Sequence, residues 1–176
     1  RHGGYVATQH LLNLGHRRIA YVAGLPAHSD DLDRYAGYQD ALREAGVPLD
    51  ERLVIEGDGR ASGGERALPT LLALDPPPTA AFCYNDMTAI GLLAAARRAG
   101  LRLPEELAVV GFDDILFAAL AQPTLTTIAQ PKHEMGRRAV ERALALLAGE
   151  GEEPDHLSLQ GQLIIRESSG AYASGR

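Results

Sequence analysis

The chain has 176 residues, 45% of them apolar and 23% charged, with a formal net charge of −6 and a pI near 5.5, which fits one globular domain or two small lobes. An acidic chain repels phosphates, so nothing in the composition points to nucleic-acid binding by this segment alone, and no run reaches the roughly 18 to 20 apolar residues of a membrane span. The lone cysteine, Cys83, lies in the apolar run "AAFCYND"; it excludes an internal disulfide, reads as a small core residue and fits a reducing cytoplasm.

The opening "RHGGYVATQHLLNLGH" has no initiating Met and no signal peptide and enters a helical pattern at once, which reads as the middle of a longer protein. Ala7, Leu11 and Leu14 share a helical face that Gly15 ends. The strand "RRIAYVAG" follows. Next is the helix "DLDRYAGYQDALREAG", with Tyr38, Leu42 and Ala45 on one face, and then the strand "RLVIEG". The helix "GGERALPTLLAL", the strand "AAFCYND", the helix "MTAIGLLAAARRAG" and the strand "ELAVVGFDD" continue the rhythm. Short apolar strands alternating with helices predict βαβ units and a parallel sheet.

After residue 122 the rhythm changes. "PTLTTIAQPKHEMG" is extended and Thr-rich, "GRRAVERALALLAG" is an amphipathic helix, and "HLSLQGQLIIRES" reads as two short strands around Gly161. A polar tail from residue 169 is expected to be disordered. The fold class is α/β, a three-layer αβα sandwich with a mainly parallel sheet. Ligands of such open sheets sit beyond the carboxyl ends of the strands, here residues 26–34, 57–60, 84–86, 112–114 and 129–130.

The motifs at those ends favour binding over catalysis. "EGDGRASGGERA" has the grammar of a phosphate loop, but the third fingerprint position is Ser62, with Gly63 one place late, and no Walker motif is present. The simpler reading is a turn in which Ser62 caps the next helix with Glu65 as its capping-box partner. Asp113 and Asp114 are adjacent, so at most one faces a cleft, which argues against a shared-proton dyad. A single cleft carboxylate accepts from two neighbouring hydroxyls of a sugar or nucleoside; a solvated turn acid or helix cap is the alternative. Asn85 suits polyol recognition, and Asp86 is expected to cap the following helix. Arg34 either forks two hydrogen bonds to a ligand or is an exposed helix arginine. The histidines lack metal-ligand spacing and no G-x-S-x-G elbow is present, so no metal, cofactor or catalytic residue is expected.

The stretches "GGYVATQHLLNLGHRRIAYVAG", "DRYAGYQDALREAG", "PPPTAAFCYNDMTAIGLLAAARRAGLRLPEELAVVGFDD" and "PTLTTIAQPKHEMGRRAVERALALLAG" resemble the effector-binding region of LacI-type bacterial transcriptional regulators. The resemblance runs from Gly3 to about Ser168 and rests on several ordered motifs. It implies a periplasmic sugar-binding-protein-like fold, in which two α/β lobes joined by three crossovers close on a ligand. Residues 1–124 would be the C-terminal lobe, 125–150 a crossover strand and helix belonging to the N-terminal lobe, and 151–168 return strands. The helix, with Met135, Ala139 and Leu146 on its apolar face, would then lack its usual sheet and dock on a neighbour, swap or pack irregularly.

Carried over by position, the resemblance makes Arg34, Asn85 and Asp113 effector contacts, with Gln130 and Asp30 as further candidates. Gly59 stands where many members carry a stacking aromatic, which implies a larger effector, another aromatic or another ligand class. The implied partners are a small-molecule effector, most plausibly a carbohydrate, and a second copy bound through the C-terminal lobe. Operator DNA would be reached only through a helix-turn-helix headpiece outside this chain, in the cytoplasm and without a membrane partner. The start of the "GDGRASGG" helix and the apolar run "ILFAALA" are where members often pair their C-terminal lobes, although a buried short helix explains the second equally well. A sugar-binding component of a transport system is the alternative reading, and an enzyme comes third.

Overall fold

The computed structural model describes residues 1–25, 28–149 and 157–170. Six strands form one sheet in the order β2-β1-β3-β4-β5-β6: β1 Ile19–Val22, β2 Val54–Ile55, β3 Ala80–Cys83, β4 Ala108–Asp113, β5 Thr126–Ala129 and β6 Gln162–Ile164. The first five are parallel and β6 runs antiparallel to β5. β1, β3 and most of β4 are buried on both faces, as continuous apolar runs in a parallel sheet require.

Helices α1 (His2–Asn13) and α2 (Ser29–Glu44) cover one face, and α3 (Ala61–Leu72) and α4 (Asp86–Arg98) the other. The α/β sandwich is therefore as read from the sequence. On the α1/α2 side Tyr21, Tyr35, Tyr38 and Phe82 cluster with ring centroids 5.3–5.9 Å apart, and the Tyr38 hydroxyl donates to the Ile19 carbonyl at 2.9 Å. Helices α1 and α2 cross so closely that a Cβ on Gly4 would lie 2.1 Å from the Arg34 carbonyl oxygen; only glycine permits that approach.

Three local expectations change. The tip of "HLSLQGQLIIRES" holds one strand, β6, among its described residues, because 157–161 make no ladder. The tail expected from residue 169 starts later: Ser169 is buried and bonds Thr126 and His10, while 171–176 lie outside the described residues, as do 151–156 of the return segment. "ILFAALA" does form a short 3-10 turn at Leu116–Ala119, but only Ala118 is buried; Leu116, Phe117 and Leu120 are 76%, 61% and 66% exposed.

Of the segment 125–150, strand β5 lies within this sheet, whereas helix α5 (Lys132–Leu147) has no buried residue. Its Met135 and Ala139 turn toward a cleft at the sheet's edge, and Val140, Leu144 and Leu147 form a second exposed stripe. Among the described residues no helix is long and apolar enough to cross a membrane.

Candidate functional site

In the order 2-1-3-4-5 the sheet reverses direction between β1 and β3, and the crevice there is the place for a ligand. Helix α2 leaves β1 over this point. Its start is fixed by Asp31, whose buried carboxylate accepts from the Tyr21 hydroxyl at 2.6 Å and the Gly24 amide at 3.1 Å. One turn on, this sets Arg34 over the strand ends.

Arg34 is nearly buried and fully engaged. Its guanidinium lies between two aromatic faces, 3.9 Å from the Phe112 centroid and 4.5 Å from that of Tyr84, which suits its flat, weakly hydrated head. Nη1 donates to the Tyr84 carbonyl at 2.6 Å, and Nη2 stands 3.3 Å from Asp30 and 3.8 Å from Asp113. Asp30 also accepts from the Tyr84 hydroxyl at 2.7 Å. Burial presses the Asp30 carboxyl upward, but Tyr84 and Arg34 outweigh it and hold it below the usual range. For Asp113 burial wins over Arg34 and Gln130, and its carboxyl is raised. At 3.8 Å the ion pair is too long to offset the lost water.

Asp113 and Asp114 diverge as their adjacency requires. Asp113 accepts from Gln130 Nε2 and Asp114 from Arg166 at 2.8 Å. Lys132 Nζ donates to the Asp114 carbonyl at 3.0 Å. The chain entering α5, through Gln130 and Lys132, and the residue two places after β6, Arg166, are thus tied to these two residues. The turn bends sharply, with positive φ at both: 113° and 49°.

The cleft above has a volume of about 770 Å³, and Asp30, Arg34, Phe112, Gln130, Met135 and Arg142 are among its lining residues. Of the five residues expected from the sequence, Asp30, Arg34, Asp113 and Gln130 come together. Asn85 stands apart. Its Oδ1 accepts the Thr88 amide at 2.9 Å and its Nδ2 donates to the Gly59 carbonyl at 2.8 Å, so it caps α4, the role expected of Asp86. The two rings that flank Arg34, Tyr84 and Phe112, are not among the expected contacts, although both stand at the ends of buried strand runs.

The glycine loop also differs from the expectation. Ser62 does not cap α3 and Glu65 pairs with Arg98 at 3.1 Å. Asp58 takes the place: its carboxylate accepts from the Arg60 amide, the Ser62 hydroxyl and Arg66 at 2.8–3.0 Å. Arg66 above all holds that carboxyl down at about 2. The chain's own anion therefore occupies the helix start where a phosphate would sit. Gly59 adopts φ 71°, and the Tyr84 ring packs over it, 3.3 Å from where a Cβ would stand.

Cys83 is buried, and burial pushes its thiol far up, which makes it an inert core residue. Among the described residues no group of three or more His, Cys, Asp or Glu side chains could hold a metal ion.

Asp86 is buried below the cleft floor. Burial lifts its carboxyl to about 6, with Thr127 and the Ile115 amide opposing and Asp113 and Asp114 adding to the rise. With a folded pKa above the unfolded one, its contribution to stability is complete below about 4 and is lost as pH rises through about 6. Asp86→Asn should therefore stabilise the fold by about 1–3 kcal/mol at pH 7.5 and by little near pH 3.5. Urea unfolding at the two pH values measures this, and equal losses at both would contradict it.

The chain matches the family described as a periplasmic binding protein-like domain over residues 8–169. It is 40% identical to the HTH-type transcriptional regulator GalR of Salmonella typhimurium over 169 residues, 96% of this chain and 49% of that protein. To the HTH-type transcriptional repressor PurR of Photobacterium profundum it is 34% identical over 166 residues, 94% of this chain and 50% of that one. The solved transcriptional regulator CelR–cellobiose complex superposes with a TM-score of 0.90 at 40% identity, covering 94% of this chain and 51% of its own. The chain spans about half the length of the curated relatives it matches. It belongs to the periplasmic binding protein-like family, and over that region it is similar to LacI-type transcriptional regulators.

Proposed function

We propose that the cleft takes a small polar effector, a sugar or sugar derivative, and that its occupancy controls DNA binding by a helix-turn-helix headpiece carried elsewhere in the full-length protein. The observation that carries this reading is Arg34, pinned between Tyr84 and Phe112 with Asp30 and Asp113 at its edge. Carboxylates accept from neighbouring hydroxyls, and a guanidinium held in place by two rings donates to a polar ligand without first having to be ordered. The cellobiose in the complex of the similar regulator supports a saccharide. Helix α5, with its exposed apolar stripes, would belong to a second lobe that closes over the cleft. An effector that binds the closed arrangement more tightly shifts the population toward it and so alters the spacing of headpieces on DNA. The protein would act in the cytoplasm, without catalysis and without a membrane partner.

Calorimetric titration of the full-length protein with pentoses, hexoses, cellobiose, their phosphates and nucleosides tests this. One saccharide should bind, and Asp113→Ala should weaken it by about 2–4 kcal/mol through loss of a charged acceptor. Full affinity in that variant would remove Asp113 from the site.

A homodimer through the C-terminal lobe fits the exposed Leu116, Phe117 and Leu120, since such a patch is costly to leave in water. Phe117→Asp should shift the full-length protein to monomer in sedimentation equilibrium. An unchanged mass would place the interface elsewhere.

A further inference from the structure

The Asp86 carboxylate touches neither solvent nor the cleft, yet it gathers hydrogen bonds from the turn that carries Asp113. Its Oδ2 accepts the Ile115 amide at 2.8 Å, and its Oδ1 accepts the Thr127 hydroxyl at 2.5 Å. The same Thr127 oxygen accepts the Asp114 amide at 3.4 Å, so its own hydrogen is committed to Asp86. Two consecutive turn amides therefore end on one carboxylate, one directly and one through Thr127. Both carboxyl oxygens accept here, which suits the ionised acid, an acceptor at either oxygen.

The turn held in this way has Asp113 and Asp114 at positive φ, a backbone that a residue with a side chain keeps only where its surroundings impose it. Strand β4 leaves room for the carboxylate, because a Cβ on Gly111 would lie 2.3 Å from its Oδ1. Burial works against the ionised form, so the acid is kept at a cost to stability. An amide of the same shape would avoid that cost and lose one acceptor.

We infer that Asp86 is a positioning residue for the cleft: through Thr127 and the Ile115 amide it imposes the bend at 113–115 that aims Asp113 at Arg34 and Gln130. The inference rests on the cleft being the effector site. The same bend leads into the exposed turn at Leu116, so one buried group sets both the cleft acid and the start of the apolar face.

Hydrogen exchange resolved to single amides, on the full-length protein, tests the placement without any ligand. In Asp86→Asn the Asp114 and Ile115 amides should exchange about ten- to a hundredfold faster, while Val109 and Val110 stay protected and the unfolding midpoint does not fall. Thr127→Val keeps the carboxylate and removes the relay, and should speed Asp114 more than Ile115. Unchanged exchange at both amides in both variants overturns the inference. So does an equal loss of protection along β4, which would make Asp86 merely structural.

Titration with cellobiose, galactose and ribose adds the functional readout: Asp86→Asn should weaken the saccharide that binds by about tenfold while stability holds, and parental affinity overturns the role. If none of these sugars binds the unaltered protein, the effector reading fails by itself, and the exchange rates still decide what holds the turn.

Discussion

Arg34→Ala should abolish saccharide binding and destabilise the fold by about 2–4 kcal/mol. The side chain is only 11% exposed and supports four neighbours at once: the Tyr84 carbonyl, the Asp30 and Asp113 carboxylates, and the space between two rings. Removing it leaves two carboxylates facing each other with no cation between them, so the Asp30 carboxyl should rise from its lowered position. The Tyr84 and Phe112 rings would close on the gap and narrow the cleft. Arg34→Lys separates charge from shape. A lysine keeps the cation but cannot stack flat while donating in two directions, so it should restore part of the stability and little of the affinity. Calorimetry and urea unfolding on both variants read the two effects apart, and a lysine variant that binds as the parent would reduce Arg34 to a charge.

Gly4→Ala should cost more than about 3 kcal/mol and weaken binding as well. A methyl group there would meet the Arg34 carbonyl oxygen at 2.1 Å, a backbone atom with no freedom to step aside. The two helices must separate, and overpacking of this kind exceeds the usual 1–3 kcal/mol for a side-chain clash. Because the atom displaced belongs to Arg34, the guanidinium moves off its aromatic seat. Gly15→Ala is a fitting control, because nothing lies within 4 Å of a Cβ there, although its φ of 95° adds local strain. Its effect should stay with stability. If Gly4→Ala lowers stability and leaves affinity intact, the helix crossing and the cleft are independent.

Most of the sheet was legible because it consists of apolar runs spaced by helices. Periodicity cannot see where a carboxylate is spent. Asn85 and Asp86 are neighbours with similar capping chemistry, and the cap fell to the other one: the amide caps α4 and the acid turns inward to Thr127 and Ile115. The same limit applies at Asp58, three residues ahead of the first residue of α3, whose cap the Ser62–Glu65 spacing assigns to Ser62. Tyr84 and Phe112 were visible as strand-end aromatics, yet their pairing across Arg34 depends on the start of α2 lying over the ends of β3 and β4. The extended reading of 123–136 missed the first turn of α5, because Pro131 occupies its start, where proline is welcome.

The ties of Gln130 and Lys132 to Asp113 and Asp114 have a mechanical consequence. They set a fulcrum at the foot of α5, whose 16 residues make an arm about 24 Å long at about 1.5 Å per residue. A tilt of about 5° at the foot carries the far end of that arm sideways by about 2 Å, a displacement comparable to the helix shifts that switch subunit interfaces. On the proposed reading, the acid that meets the effector would also be the pivot, and a contact of atomic size at Asp113 would act with the full leverage of the helix.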